Sequence, residues 1–204
     1  MAFRGNPVRV LIVPGLHSSG PAHWQTWLQS HCRQSLRVEQ DDWATPDIEA
    51  WSARIGDTLA REPAGDWVAV AHSFGCLALA HHLAHQLAHR ERPRTGGIAG
   101  ALLVAPADPA RFDLRHDLPP RSLGVAGTML ASDTDPWMRA DDARQWARHW
   151  SLGFVNLGDA GHINAESGFG PLPAAKHLTQ FLIRRVEQSR RLSRAHVREL
   201  SFAV

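Results

Sequence analysis

The stretch WVAVAHSFGCLAL, Trp67 to Leu79, decides the fold. An apolar run ends at Ala71, a serine follows between small residues, and apolar side chains then recur at Cys76, Leu77, Ala80, Leu83, Ala84 and Leu87, which is helical spacing. The spacing predicts a strand that runs straight into a helix, with Ser73 at the corner. Runs as apolar as WVAVA suit strands covered on both faces. Outward from it, short apolar runs alternate with longer amphipathic segments. VRVLIV (Val8 to Val13) and LRVEQ precede the corner, and GIAGALLVAPA, GVAGTMLAS and GFVNLG follow it, all reading as strands. The segments AHWQTWLQSHCRQ, DIEAWSARIGDTLARE (its start marked by Pro46 and Asp47), DDARQWARHW and Pro173 to about Arg191 read as helices. This alternation predicts an α/β protein of three layers: a mostly parallel central sheet with helices on both faces.

The 204 residues, 44% of them hydrophobic, suffice for one well-buried domain, expected to span residues 1–204, with a core at about 8–186 and a basic C-terminal extension at 187–204. A formal net charge of +2, with acids and bases interspersed, gives no reason to expect a nucleic-acid binder. The apolar run near the N-terminus is too short for a membrane span, lacks a small-residue cleavage site and breaks at Pro14-Gly15, so secretion is not expected, nor is a membrane partner. Two cysteines, Cys32 and Cys76, stand outside any metal-type spacing. They fit a reducing compartment, and the expected location is cytoplasmic.

Ala71-His72-Ser73-Phe74-Gly75 has the strand–turn–helix context of the G-x-S-x-G turn that lifts a serine above the carboxyl edge of a sheet, with alanine in the first glycine position. A serine between strand and helix is also a common N-cap. As a nucleophile it needs a base to take its proton and a third group to orient that base. Of 13 histidines, His72 is adjacent but should point to the opposite face of the strand, and His81, His82, His85 and His89 lead away along the helix. His162, in the glycine-rich GDAGHINAESGFG after the last strand, falls where ligands collect in open α/β sheets.

The acid is sought after the preceding strand, where SDTDPW supplies Asp133 and Asp135. Asp135 is preferred: Asp133 is nearer the strand end, and Pro136 gives the turn after Asp135 a fixed shape. Either is also a plausible loop-forming aspartate that bonds its own backbone. The order serine, acid, histidine matches that of α/β-hydrolases. Oxyanion donors are then expected from the backbone N–H of Phe74 and, in VPGLHSSG, of Leu16.

VLIVPGLHSSGPAHWQTWL, QDDWATPDIEAW, AVAHSFGCLAL, SDTDPW and GHINAESGFGPLP together resemble the small serine hydrolase family of YdeN and retinoblastoma-binding protein 9, a capless branch of the α/β-hydrolase fold, over about Val8 to Leu182. The resemblance implies Ser73 as nucleophile, Asp135 as acid, His162 as base, small ester or acyl substrates, and no cofactor. Only APADPARFDLRHDLPP stands where that fold would carry a cap, so an open, shallow pocket is expected, with Trp24, Trp137 and Phe169 as candidate lining.

Other readings stand beside this one. A protein-interaction module on a hydrolase fold would bind a protein partner with little or no catalysis. His81, His85 and His89 share a helix face that a metal-dependent hydrolase would use, but no H-E-x-x-H motif accompanies them and no metal site is expected. Arg184, Arg185, Arg190, Arg191, Arg194 and Arg198 read as the wet face of a terminal helix in preference to a docking site for an acidic partner.

Overall fold

Leu11, Val13, Ala69, Ala71, Ala101, Leu103, Met129 and Ala131 pack into one hydrophobic cluster. Their neighbours Val10, Ile12, Val68, Val70, Leu102, Val104 and Leu130 pack into another. This period of two, with both sets apolar, is what a sheet buried on both faces requires. The structure, a computed structural model, describes residues 6–88, 97–118 and 120–201, with side chains to residue 193. Its strands are β1 (Arg9–Val13), β2 (Ser35–Arg37), β3 (Asp66–Ser73), β4 (Gly97–Pro106), β5 (Ala126–Ala131) and β6 (Gly153–Asn156). They form one sheet in the order β2-β1-β3-β4-β5-β6, and every pairing is parallel.

Helices α2 (Ile48–Ala60), α3 (Phe74–Ala88) and α4 (Ala140–His149) supply the first cluster through residues such as Trp51, Leu77 and Ala147. The second is completed by α1 (Trp24–Ser30) and α5 (Pro173–Ser201) through Trp24, Leu28, Leu182 and Val186. Asp47 caps α2, accepting a bond from Ala50 N–H at 3.0 Å, as the Pro46-Asp47 pair predicts. Between β4 and β5 the described residues carry a single 3-10 turn, Pro109–Phe112.

The last helix is longer than its sequence pattern suggests, since α5 continues through Ser201 instead of stopping near Arg191. The tail holds no Gly or Pro to break it, and Arg190 ties the helix to the body by pairing with Asp66 and donating to Asn6 O at 2.9 Å. Arg184 and Arg185 are exposed, while the side chains of Arg194 and Arg198 lie outside the described residues.

Because all six strands are parallel, their carboxyl ends share one edge. The chain turns left from β1 to β2 and then crosses back to β3, so β1 and β3 flank the point where strand order reverses. Loops diverge there and leave a crevice, the usual ligand position in an open α/β sheet. Ser73 ends β3 at that point.

Candidate active site

The corner at Ser73 is set by backbone crowding. Ser73 has φ 52°, a left-handed conformation that costs a non-glycine residue about 1–3 kcal/mol and persists only where the surroundings enforce it. They do so from the loop after β1. A Cβ at Gly75 would lie 2.2 Å from Pro14 O and 2.7 Å from Val13 O, and one at Gly15 would lie 2.8 Å from Ser73 Cβ. Only glycine fits where two backbones approach this closely. The alanine at position 71 is accommodated: it is fully buried, opposite Val13 in the β1–β3 ladder.

Two loops bring the partners. His162 Nε2 lies 2.9 Å from Ser73 Oγ, and His162 Nδ1 lies 2.9 and 3.0 Å from the two carboxylate oxygens of Asp135. A carboxylate only accepts, so Nδ1 carries the proton and Nε2 is the bare nitrogen that accepts from the serine hydroxyl. The side chains of His162 and Asp135 are 9% and 3% exposed, which keeps water from competing for these bonds. Asp135 Oδ1 also accepts from Trp137 N–H at 2.9 Å. The aspartate is thus both a loop former and the partner of the imidazole, two readings that the sequence sets against each other. Asp133 points elsewhere, accepting from Asn156 Nδ2 at 2.6 Å on the exposed surface.

A polar network missed by sequence reasoning fastens the two loops together. Ser132 Oγ donates to Gly158 O at 2.9 Å and accepts from Ala160 N–H at 3.0 Å. Thr134 Oγ1 donates to Asp159 Oδ1 at 2.7 Å and accepts from Gly161 N–H at 3.0 Å. His162 N–H donates to Ser167 Oγ at 3.1 Å. Hydroxyls next to a candidate acid or base are the only sequence signal for such a network, and they are too common to single out.

The His72 ring has a partner other than the hydroxyl. Nε2 lies 3.0 Å from the backbone oxygen of His162; since a carbonyl only accepts, that nitrogen carries the proton. The His72 ring stands 4.8 Å from that of His162 and 4.8 Å from that of His23. Burial, with the neighbouring His162 and His23, holds His72 well below the ordinary imidazole range. Burial, with Arg37 and His162 nearby, pushes His23 down to about 4. Both rings are neutral at pH 7. His23 Nδ1 accepts from Gln25 N–H at 3.1 Å and so caps α1.

Above Ser73 opens a cleft of about 420 Å³ lined by Leu16, His23, Phe112, Trp137 and Ala165 among others. Leu16 and Phe74 carry the expected oxyanion donors. His17 N–H and Ser18 N–H are taken up by Trp43 O and Gly15 O at 2.9 and 3.1 Å, whereas Leu16 N–H has no partner among the described residues. Phe74 is the first residue of α3, where a backbone N–H has no partner within the helix.

Of the three aromatic residues expected in the pocket, Trp137 alone lines this cleft, 39% exposed and 6.0 Å from the His162 ring. Trp24 belongs to the core: it is fully buried and donates its indole N–H to Ile163 O at 2.8 Å. Phe169 packs against the cluster formed with α1 and α5 and is absent from the cleft wall. Phe112, missed in the sequence, takes the remaining aromatic place because its ring meets that of Phe74 edge to face at 5.0 Å, beside the corner itself.

His81 lies 3.5 Å from Glu49, His82 is buried against Gln86 at 2.9 Å, and His89 lies outside the described residues. Among the described residues no group of three or more His, Cys, Asp or Glu side chains is arranged to hold a metal, and no helix is long and apolar enough to cross a membrane.

A parallel sheet covered by helices on both faces, with a serine at a strained strand-to-helix corner on its carboxyl edge, defines an α/β-hydrolase fold. The chain belongs to the Serine hydrolase family, whose match covers residues 10–180. Within it the likeness is to YdeN-like proteins. A YdeN-like hydrolase from Pectobacterium atrosepticum is 34% identical, with a TM-score of 0.75 over 86% of this chain and 91% of that one. The ydeN gene product of B. subtilis is 19% identical, with a TM-score of 0.68 over 87% and 99%. Est1E from Butyrivibrio proteoclasticus, solved with ferulic acid bound, shares the fold at 11% identity and a TM-score of 0.63 over 90% and 92%. No curated protein matches the chain.

Proposed function

We propose that this protein is a cofactor-independent serine hydrolase that cleaves small ester or acyl substrates through a Ser73–His162–Asp135 triad and an acyl-enzyme intermediate. The observation that carries this reading is the continuous bond series Ser73 Oγ, His162 Nε2, His162 Nδ1, Asp135 carboxylate at 2.9 to 3.0 Å. Ser73 Oγ attacks the substrate carbonyl as its proton passes to His162 Nε2. Asp135 stabilises the imidazolium that forms without taking its proton. The carbonyl oxygen, now an anion, takes hydrogen bonds from Leu16 N–H and Phe74 N–H; in such sites one donor is worth about 3–4 kcal/mol of transition-state stabilisation. Collapse expels the leaving group, which takes the proton from Nε2. Water, deprotonated by the same nitrogen, then attacks the acyl carbonyl, and collapse releases the acid as Ser73 Oγ takes the proton back from Nε2.

The walls of the cleft support this substrate class. A cleft of about 420 Å³ with Leu16, Phe112 and Trp137 on its apolar side has room for a small acyl or aryl group. The test is intact-mass analysis after exposure to a fluorophosphonate, which traps activated serines whatever the substrate. One adduct on the wild type and none on Ser73→Ala is expected, followed by turnover of short acyl esters. A folded wild-type protein that takes no adduct would overturn the proposal.

A further inference from the structure

The His162 loop carries a strained residue, Ile163, with φ 48°. A β-branched side chain is poorly suited to the left-handed region, so the surroundings must hold it there. Its side chain is fully buried in the α1–α5 cluster. The two peptide planes that meet at its α-carbon are held as well. The carbonyl before it, His162 O, accepts from His72 Nε2–H at 3.0 Å, and its own carbonyl accepts from Trp24 Nε1–H at 2.8 Å. The two donor rings stand edge to face, 6.0 Å apart at 82°, and both residues are buried.

We propose that His72 and Trp24 are positioning residues: their ring N–H groups clamp the peptides on either side of Ile163 and so fix where His162 Nε2 meets Ser73. The inference rests on the reading of His162 as the base. Fixing both carbonyl oxygens fixes the rotations about the Ile163 α-carbon and, with them, the direction in which the chain presents His162. His72 immediately precedes Ser73, so the clamp joins the strand that bears the nucleophile directly to the loop that bears the base. Since burial keeps His72 uncharged, it donates without placing a cation beside an imidazole that itself becomes cationic during the reaction.

The experiment compares wild type, His72→Phe, His72→Gln and Trp24→Phe. His72→Phe and Trp24→Phe keep a ring and lose the donor, while His72→Gln keeps an N–H. Two quantities are read beside the Tm: the fluorophosphonate labelling rate of Ser73, and the low-field proton resonance of His162 Nδ1–H, assigned by its loss in Asp135→Asn. A displacement of the base near 1 Å can cost about 100-fold in rate. His72→Phe is therefore expected to label at least about 10-fold more slowly, with a shifted or broadened His162 resonance, and His72→Gln is expected to recover much of both. Unchanged rate and resonance in both ring variants would overturn the clamp. So would a rate that falls only in step with Tm, with His72→Gln no better than His72→Phe. If His72→Phe does not fold, Trp24→Phe decides by the same criteria. If wild type takes no label, the reading of the base fails, and the resonance alone then decides the clamp.

Discussion

A β-carbon on Gly75 would stand 2.2 Å from the carbonyl oxygen of Pro14, backbone against backbone. Neither side has a rotamer to change, so relief requires the β1 loop or the start of α3 to move. Gly75→Ala is expected to destabilise the protein by at least about 1–3 kcal/mol, the usual cost of overpacking, and to slow labelling of Ser73 because the displaced segments carry Leu16 and Phe74. Denaturant titration beside the labelling rate checks both. A variant as stable and as reactive as wild type would show that the corner does not need this contact.

Asp133 and Asp135 separate cleanly by substitution. Asp135→Asn changes the tautomer that His162 can hold and is expected to lower kcat by about 10⁴-fold, as in other triads. Asp133→Asn touches only a surface bond to Asn156 and should stay within about twofold, as exposed substitutions usually do. Steady-state rates on a short acyl ester decide; a larger loss in Asp133→Asn would reverse the assignment.

The two tryptophans should fail in different ways. Trp24→Ala opens a cavity in the core and is expected to cost about 3–5 kcal/mol of stability. Trp137→Ala removes a half-exposed wall of the cleft, so it should leave Tm nearly unchanged and lower kcat/KM for bulky acyl esters by about 10-fold relative to acetyl esters. Thermal melts together with an acyl-length series read both effects.

Stability should fall on mild acidification. His23 and His82 are pushed from the ordinary 6.5 down to about 4 by burial first, and His72 lies well below its ordinary value for the same reason. A lowered pKa in the fold means that the unfolded chain binds the proton first. The contribution of His23 and His82 is therefore complete above about pH 6.5 and is lost as pH falls from there towards about 4, at up to about 1.4 kcal/mol per pH unit for each group, and that of His72 has the same sign. Melting curves between pH 7.5 and about 4.5 test the sign, and His82→Gln should flatten the slope. A Tm independent of pH across that window would contradict the burial of these rings.

Elements and corner were legible in the sequence because their causes are local. The continuous apolar run of WVAVA, helical spacing from Cys76 onward, and small residues around Ser73 each constrain a few neighbouring backbone angles. Direction and partnership were not legible. Trp24 and Trp137 both follow carboxyl ends of strands, yet one indole turns into the core towards Ile163 and the other lines the cleft. His72 meets a carbonyl 90 residues away. Such contacts depend on the order of strands in the sheet and on how the loops leave its edge. Periodicity fixes which face a side chain occupies, but only tertiary packing decides what stands opposite it.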